Sequence, residues 1–244
     1  GLGDVYKRQP KYNHKIELSF SNIDEYRFGG EMNRDKPAHL TAQSEERQHH
    51  VWTGALDYQI GFKNEQTSLI SYAAFQYTNR HHYTGIFPDD SLQILSHIEN
   101  APYGISDVLT ANMGLQLNHE FLNFLSTGSN VFTIGTELLW DDVYDEIPSY
   151  QYLIDQNTSD LGVFIQSDWN LIPSLSLLSG ARMDRHNLVE SMVLSPRISL
   201  LYKFKKNTQF RLGYGSGFRA PQAFDTDLHI CLLYTSPSPR DPVS

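Results

Sequence analysis

Polar and apolar residues alternate with a period of two along most of the chain, the signature of strands whose two faces meet different surroundings. Beginning at Trp52, the even positions are Trp52, Gly54, Leu56, Tyr58, Ile60 and Phe62, and the odd ones are Thr53, Ala55, Asp57, Gln59 and Gly61. Leu109, Ala111, Met113, Leu115 and Leu117 alternate with Thr110, Asn112, Gly114, Gln116 and Asn118. The same pattern runs through Phe132, Ile134, Leu138 and Trp140, through Leu161, Val163, Ile165, Trp169 and Leu171, and through Ile198, Leu200, Tyr202 and Phe204. It returns in Phe210, Leu212, Tyr214 and Phe218. With 16–26, 66–79 and 175–185, the pattern predicts about nine strands. No segment of helical period and useful length competes, so the chain reads as all-β.

Those strands match the roughly 9–11 residues that a tilted barrel strand needs to cross a bilayer, and exceed the five or six usual in soluble sheets. The face between the apolar positions is polar, small or charged, as a watery barrel interior requires. Trp52, Trp140, Trp169, Tyr202 and Phe204 fall near the predicted strand ends, where interfacial girdles sit. Connections alternate in length along the chain. Residues 27–46, 80–107, 141–159 and 186–192 form the longer set, and 63–65, 122–130, 172–174 and 205–207 the shorter. In an up-and-down barrel this parity puts long loops on one rim and tight turns on the other, an asymmetry typical of outer-membrane barrels. Greek-key sandwiches have no reason to produce it.

Composition adds exclusions. The chain has 244 residues, with 28 acidic against 19 basic side chains and a net charge of −9. That balance argues against a nucleic-acid surface, which needs clustered Lys and Arg. No apolar run approaches the length of a spanning helix, and nothing at the start reads as a signal peptide. The single cysteine, Cys231, excludes an intrachain disulfide framework. Both ends read as translated sequencing adapter. Asp4 to Gln9 back-translates to GATGTGTATAAGAGACAG, and the tail from Cys231 matches its reverse complement in frame. Residues 1–9 and 231–244 are therefore expected to be adapter-derived, leaving 10–230 as a single barrel fragment without a cysteine.

The segment Tyr214-Gly-Ser-Gly-Phe-Arg-Ala-Pro-Gln-Ala-Phe-Asp-Thr-Asp-Leu-His229 resembles the Gly-Phe-Arg-Ala-Pro signature of TonB-dependent outer-membrane receptors, here Gly217, Phe218, Arg219, Ala220 and Pro221. Residues 24–30, 161–169 and 195–199 look like the same family, and the Gln-Ala-Phe-Asp-Thr-Asp ending is similar to the ferric-siderophore and colicin receptors of Bacteroidetes-type bacteria. The resemblance implies a partial transmembrane antiparallel up-and-down β-barrel, a slice of a closed wall of about 22 strands. It also implies a plug and further strands outside this chain, a metal-chelate ligand (siderophore, cobalamin or haem), energy from TonB, and contact with outer-membrane lipid. The long loops 80–107 and 141–159 would then belong to the substrate-capturing rim. Gly213, Gly215 and Gly217 lighten the lumen side of the last strand, and Pro221 ends it. Shaping of the barrel rim is the stronger reading of the Phe218–Pro221 motif, ahead of direct contact with substrate.

Other candidate chemistry weighs less. Asp141, Asp142, Asp145 and Glu146 are candidate ligands for a loop calcium ion, but their spacing matches no EF-hand and a solvated acidic loop is the better reading. No other cofactor is expected. His49-His50, His81-His82 and His97 invite haem or metal ligation, yet neighbours on a strand point to opposite faces and serve one metal poorly. Ser106-Asp107 and Asp184 with His186 lack any Gly-x-Ser-x-Gly or His-Glu-x-x-His frame, so no enzyme is read here. Two alternatives to the receptor stay open at this point: a passive porin-type barrel, and a soluble all-β binding module.

Overall fold

Nine strands form one antiparallel sheet in simple chain order, each paired with the next. The computed structural model describes residues 13–31, 35–62, 66–205 and 208–219. The strands are β1 (Asn13–Gly30), β2 (Gln43–Phe62), β3 (Thr67–Ile86), β4 (Tyr103–Phe121), β5 (Ser129–Ile147), β6 (Tyr152–Ile172), β7 (Leu175–His186), β8 (Val193–Lys205) and β9 (Thr208–Gly215). One helix, α1 (Ser91–Glu99), and three short 3-10 turns complete the described residues. The adapter-like ends 1–9 and 231–244, together with Ala220 and Pro221, lie outside the described residues.

Register carries the two-faced pattern across the whole sheet without interruption from β1 to β6. Leu18, Leu56, Ala73, Met113, Leu138 and Leu161 stand in one cross-strand row. The adjacent row on the opposite face holds Glu17, Asp57, Tyr72, Gly114, Glu137 and Gly162. Among the described residues no second layer covers the apolar side chains of the first face: Leu18, Phe20, Phe75, Met113, Leu115, Ile165 and Leu212 are all exposed. An exposed apolar surface spanning nine strands is far beyond what a soluble monomer carries. A second sheet, which a soluble sandwich would need, is absent among the described residues.

The strands run longer than the alternation predicts. β2, β3, β4, β5 and β6 continue well past the apolar band, so much of 27–46, 80–107 and 141–159 is strand rather than loop. The connection at the far end of β5 and β6 is only the 3-10 turn Pro148–Tyr150. Above the band neither face of a strand meets lipid, so the backbone ladder persists while the hydrophobic alternation that reveals it stops. Trp52 and Trp140 consequently sit in mid-strand, at the edge of the apolar band. At the other end, β9 stops at Gly215, so Gly217 and Phe218 lie beyond the strand instead of inside it.

The small true core lies on the long-connection rim. Residues 35–42 and 87–102 fold over the extended ends of β2, β3 and β4, burying Ala38, Thr41, Ser44 and Tyr83. Tyr83 is fully buried, with its ring 5.0 Å from that of Tyr103 and its hydroxyl 3.3 Å from His97 Nε2. His97 Nε2–H donates to the His39 carbonyl at 2.9 Å, and His39 Nδ1 lies 3.1 Å from the Tyr103 hydroxyl. Helix α1 meets this knot through His97 and leaves Leu92, Leu95 and Ile98 exposed.

Candidate functional site on the inner wall

The polar face carries a charged ladder whose reach depends on small residues between long ones. Opposing residues on paired strands share a face, and in one row Tyr72 faces Gly114, Gly114 faces Glu137, Glu137 faces Gly162 and Gly162 faces Asp184. The two glycines leave gaps that neighbours fill. A Cβ on Gly114 would meet the Tyr72 ring at 2.4 Å, and one on Gly162 would meet the Arg182 guanidinium at 2.3 Å. Tyr72 thus crosses β4 to donate its hydroxyl proton to Glu137. Arg182 crosses β6 to reach Glu137 Oε2 at 2.7 Å while donating to Asp184 Oδ1 at 2.6 Å. Arg197 of β8 donates to Gln166. These side chains line a cavity of about 560 Å³ together with Asp160, Phe164, Ser195, Gly217 and Phe218.

Ser216 and, from the family motif, Gly217 and Phe218 line one side of that cavity. Ser216 N–H donates to the Pro196 carbonyl at 3.1 Å, one position past the last β8–β9 pair, and the Phe218 ring stands edge-on 6.4 Å from His186. Arg219 is exposed. A Cβ on Gly213 or Gly215 would make only ordinary contacts, the nearest atoms lying 3.7 and 3.5 Å away. The close approaches occur instead at Gly114, Gly135 and Gly162, which sequence reasoning passed over. Their signal was glycine at inward positions of three successive strands.

Further out, Arg80 of β3 spans Ser106 to reach Asp145 of β5 at 3.4 Å. Asp145 keeps only 6% of its side chain exposed. Burial pushes its carboxyl above the usual range, partly opposed by Arg80. On the same face, burial first and then Arg80 and Arg47 depress the His82 imidazole to about 4, and His49 is lowered for the same leading reasons.

The four loop acids do not converge. They lie on β5 rather than in a loop, with Asp141 and Asp145 facing inward and Asp142 and Glu146 outward. Asp142 accepts from Asn157, Glu146 accepts from Tyr144, and Asp145 faces Arg80. They do not fit one calcium ion, and no group of three or more His, Cys, Asp or Glu suited to a metal occurs among the described residues. His49 and His82 face inward, whereas His50 and His81 face outward, with His50 bound to Asp24 at 2.6 Å. Ser106 and Asp107 point to opposite faces, and His186 Nδ1 accepts the Leu188 N–H. No nucleophile–base pair forms there.

An open antiparallel sheet with one apolar face and one charged, glycine-notched face is a section of membrane β-barrel wall. The chain belongs to the family described as TonB dependent receptor-like, beta-barrel, whose model matches residues 4–230. This is a family of receptors and transporters rather than enzymes, and it places the chain in the outer membrane. Among solved structures the chain is similar to the outer membrane transporter YddB from Escherichia coli, with a TM-score of 0.56 and 12% identity over 84% of this chain. It is also similar to a mutant of the ferric enterobactin receptor PfeA from Pseudomonas aeruginosa, with a TM-score of 0.55 and 14% identity over 76%. The chain spans 29% and 32% of the lengths of those two proteins. No curated protein matches the sequence.

Proposed function

We propose that this chain forms part of the wall of an energised outer-membrane receptor that imports a metal chelate, namely a siderophore, cobalamin or haem, with energy delivered by TonB. The observation that carries the reading is the inner wall. Tyr72, Glu137, Arg182 and Asp184 hold one another in fixed positions around a cavity opposite a lipid-facing surface. Side chains that lock one another across strands present a preorganised polar surface to whatever occupies the lumen. The similarity to a ferric enterobactin receptor supports the cargo class. By the family's plan a plug outside this chain fills the lumen and engages TonB. The same reading takes 10–230 as receptor sequence and both termini as adapter; resequencing the source DNA through both junctions tests that part.

A binding experiment tests the cargo. Outer membranes bearing the full-length receptor should retain at least one of a panel of ferric siderophores, cobalamin and haem, and membranes lacking it should not. Retention of none, with salt-driven conductance through the purified protein, would favour a passive porin instead.

A further inference from the structure

The turn between β4 and β5, on the rim of tight connections, is apolar where its counterparts are polar. Residues 63–65 read Lys-Asn-Glu, 173–174 Pro-Ser and 206–207 Lys-Asn, whereas 122–126 read Leu-Asn-Phe-Leu-Ser. Leu122 is 58% exposed and Leu125 69%. Leu125 and Ser126 hold φ values of 49° and 64°, in the left-handed region that side-chain-bearing residues rarely enter. A surface loop in water gains nothing from displaying Leu125 at that conformational cost.

The turn is also tied to the lipid-facing side of the sheet. His119, Phe121 and Trp169 occupy outward register positions on β4 and β6. The Phe124 ring bridges two of them, 5.8 Å from Phe121 and edge-on 5.2 Å from Trp169. Trp169 Nε1–H donates to the Thr127 carbonyl at 3.2 Å, and Thr127 N–H donates to that of Phe124 at 3.0 Å. Backbone groups near hydrocarbon need such internal partners. The apolar surface therefore continues from the barrel wall around the rim and onto the turn, while the aromatic rings sit where interfacial rings belong.

We propose that residues 121–126 form a lipid-binding ledge which enters the boundary between headgroups and acyl chains of the phospholipid leaflet at the short-turn rim. Leu122 and Leu125 are its inserted side chains, and Phe124 on Trp169 is its hinge to the wall. The proposal rests on the outer-membrane placement and not on the cargo.

The test places a nitroxide at Leu125→Cys in a cysteine-free background of the full-length receptor, reconstituted in phosphatidylcholine–phosphatidylglycerol vesicles. Met113→Cys, on the lipid-facing side of β4, and Ser174→Cys, in a polar turn of the same rim, bracket the answer. Collision with oxygen relative to a water-soluble nickel chelate should give position 125 a ratio close to that of position 113. A ratio matching position 174 would overturn the ledge and leave the two leucines to a soluble protein partner. Gel mobility before and after boiling reports whether each variant is folded, and Leu122→Cys reads the same ledge if Leu125→Cys is not. Ligand binding does not enter this readout, so failure of the cargo reading would leave it unmoved.

Discussion

Glu137 keeps two partners from different strands because Gly114 and Gly162 on either side of it carry no side chain. Gly162→Val would force the Arg182 guanidinium aside and disturb its bonds to Glu137 and Asp184. A loss of about 1–3 kcal/mol in unfolding free energy is expected, as for other overpacked sites, read by urea unfolding in lipid vesicles. Gly213→Ala, where a methyl group meets its neighbours at ordinary contact distance, should change stability by no more than about 0.5 kcal/mol. His82 gives a pH effect whose sign follows from its depressed value. Between 6.5 and about 4 the unfolded chain binds a proton that the folded rim refuses, so stability falls as pH drops through that window and levels off below it. His82→Gln should flatten this slope in limited proteolysis of the long-connection rim. These details were mostly closed to sequence reasoning. Glu137 was legible as an inward residue by parity, but its partners Tyr72 and Arg182 lie 65 and 45 positions away in the chain. No local pattern records which distant side chain crosses a glycine gap.

Strands rather than loops build most of the height of this wall. The apolar band was legible because lipid on one side and water on the other force alternation, as in Leu109 to Leu117. The extensions above it were not, since 143–147 and 152–158 have no lipid on one side to force that alternation. Trp52 and Trp140 stand where the apolar alternation ends, and the strands continue past them. Position within the band decides the effect of a charge. Leu115→Lys, on the lipid-facing side, should cost about 2–4 kcal/mol near the bilayer midplane. Gln116→Lys, one residue along and facing the lumen, should leave the unfolding midpoint in vesicles nearly unchanged. At the outer rim the knot around Tyr83 joins two connections that are far apart in sequence. Tyr83→Ala would empty a fully buried site and cost about 3 kcal/mol locally. Faster protease cleavage within 87–102, with an intact heat-sensitive gel band for the barrel, is the expected outcome.

The sheet has two faces and two dissimilar rims, and each matches a different environment. Lipid meets the outward apolar rows. The lumen contents meet the ladder from Tyr72 to Asp184, with Phe218 lining one side of the cavity. One rim is raised by strand extensions and capped by α1, and the other turns tightly apart from its apolar ledge. In the described residues β1 and β9 each pair on one side only, in keeping with a chain that spans about a third of its solved neighbours. Energised uptake is the property that separates this receptor reading from a passive pore. Accumulation of a radiolabelled ferric chelate should be measured in cells carrying the full-length receptor, with and without functional TonB. Uptake that requires both the receptor and TonB, with surface binding retained when TonB is lost, is the expected result. Uptake that proceeds at the same rate without TonB, or that follows the external concentration without saturating, would contradict it.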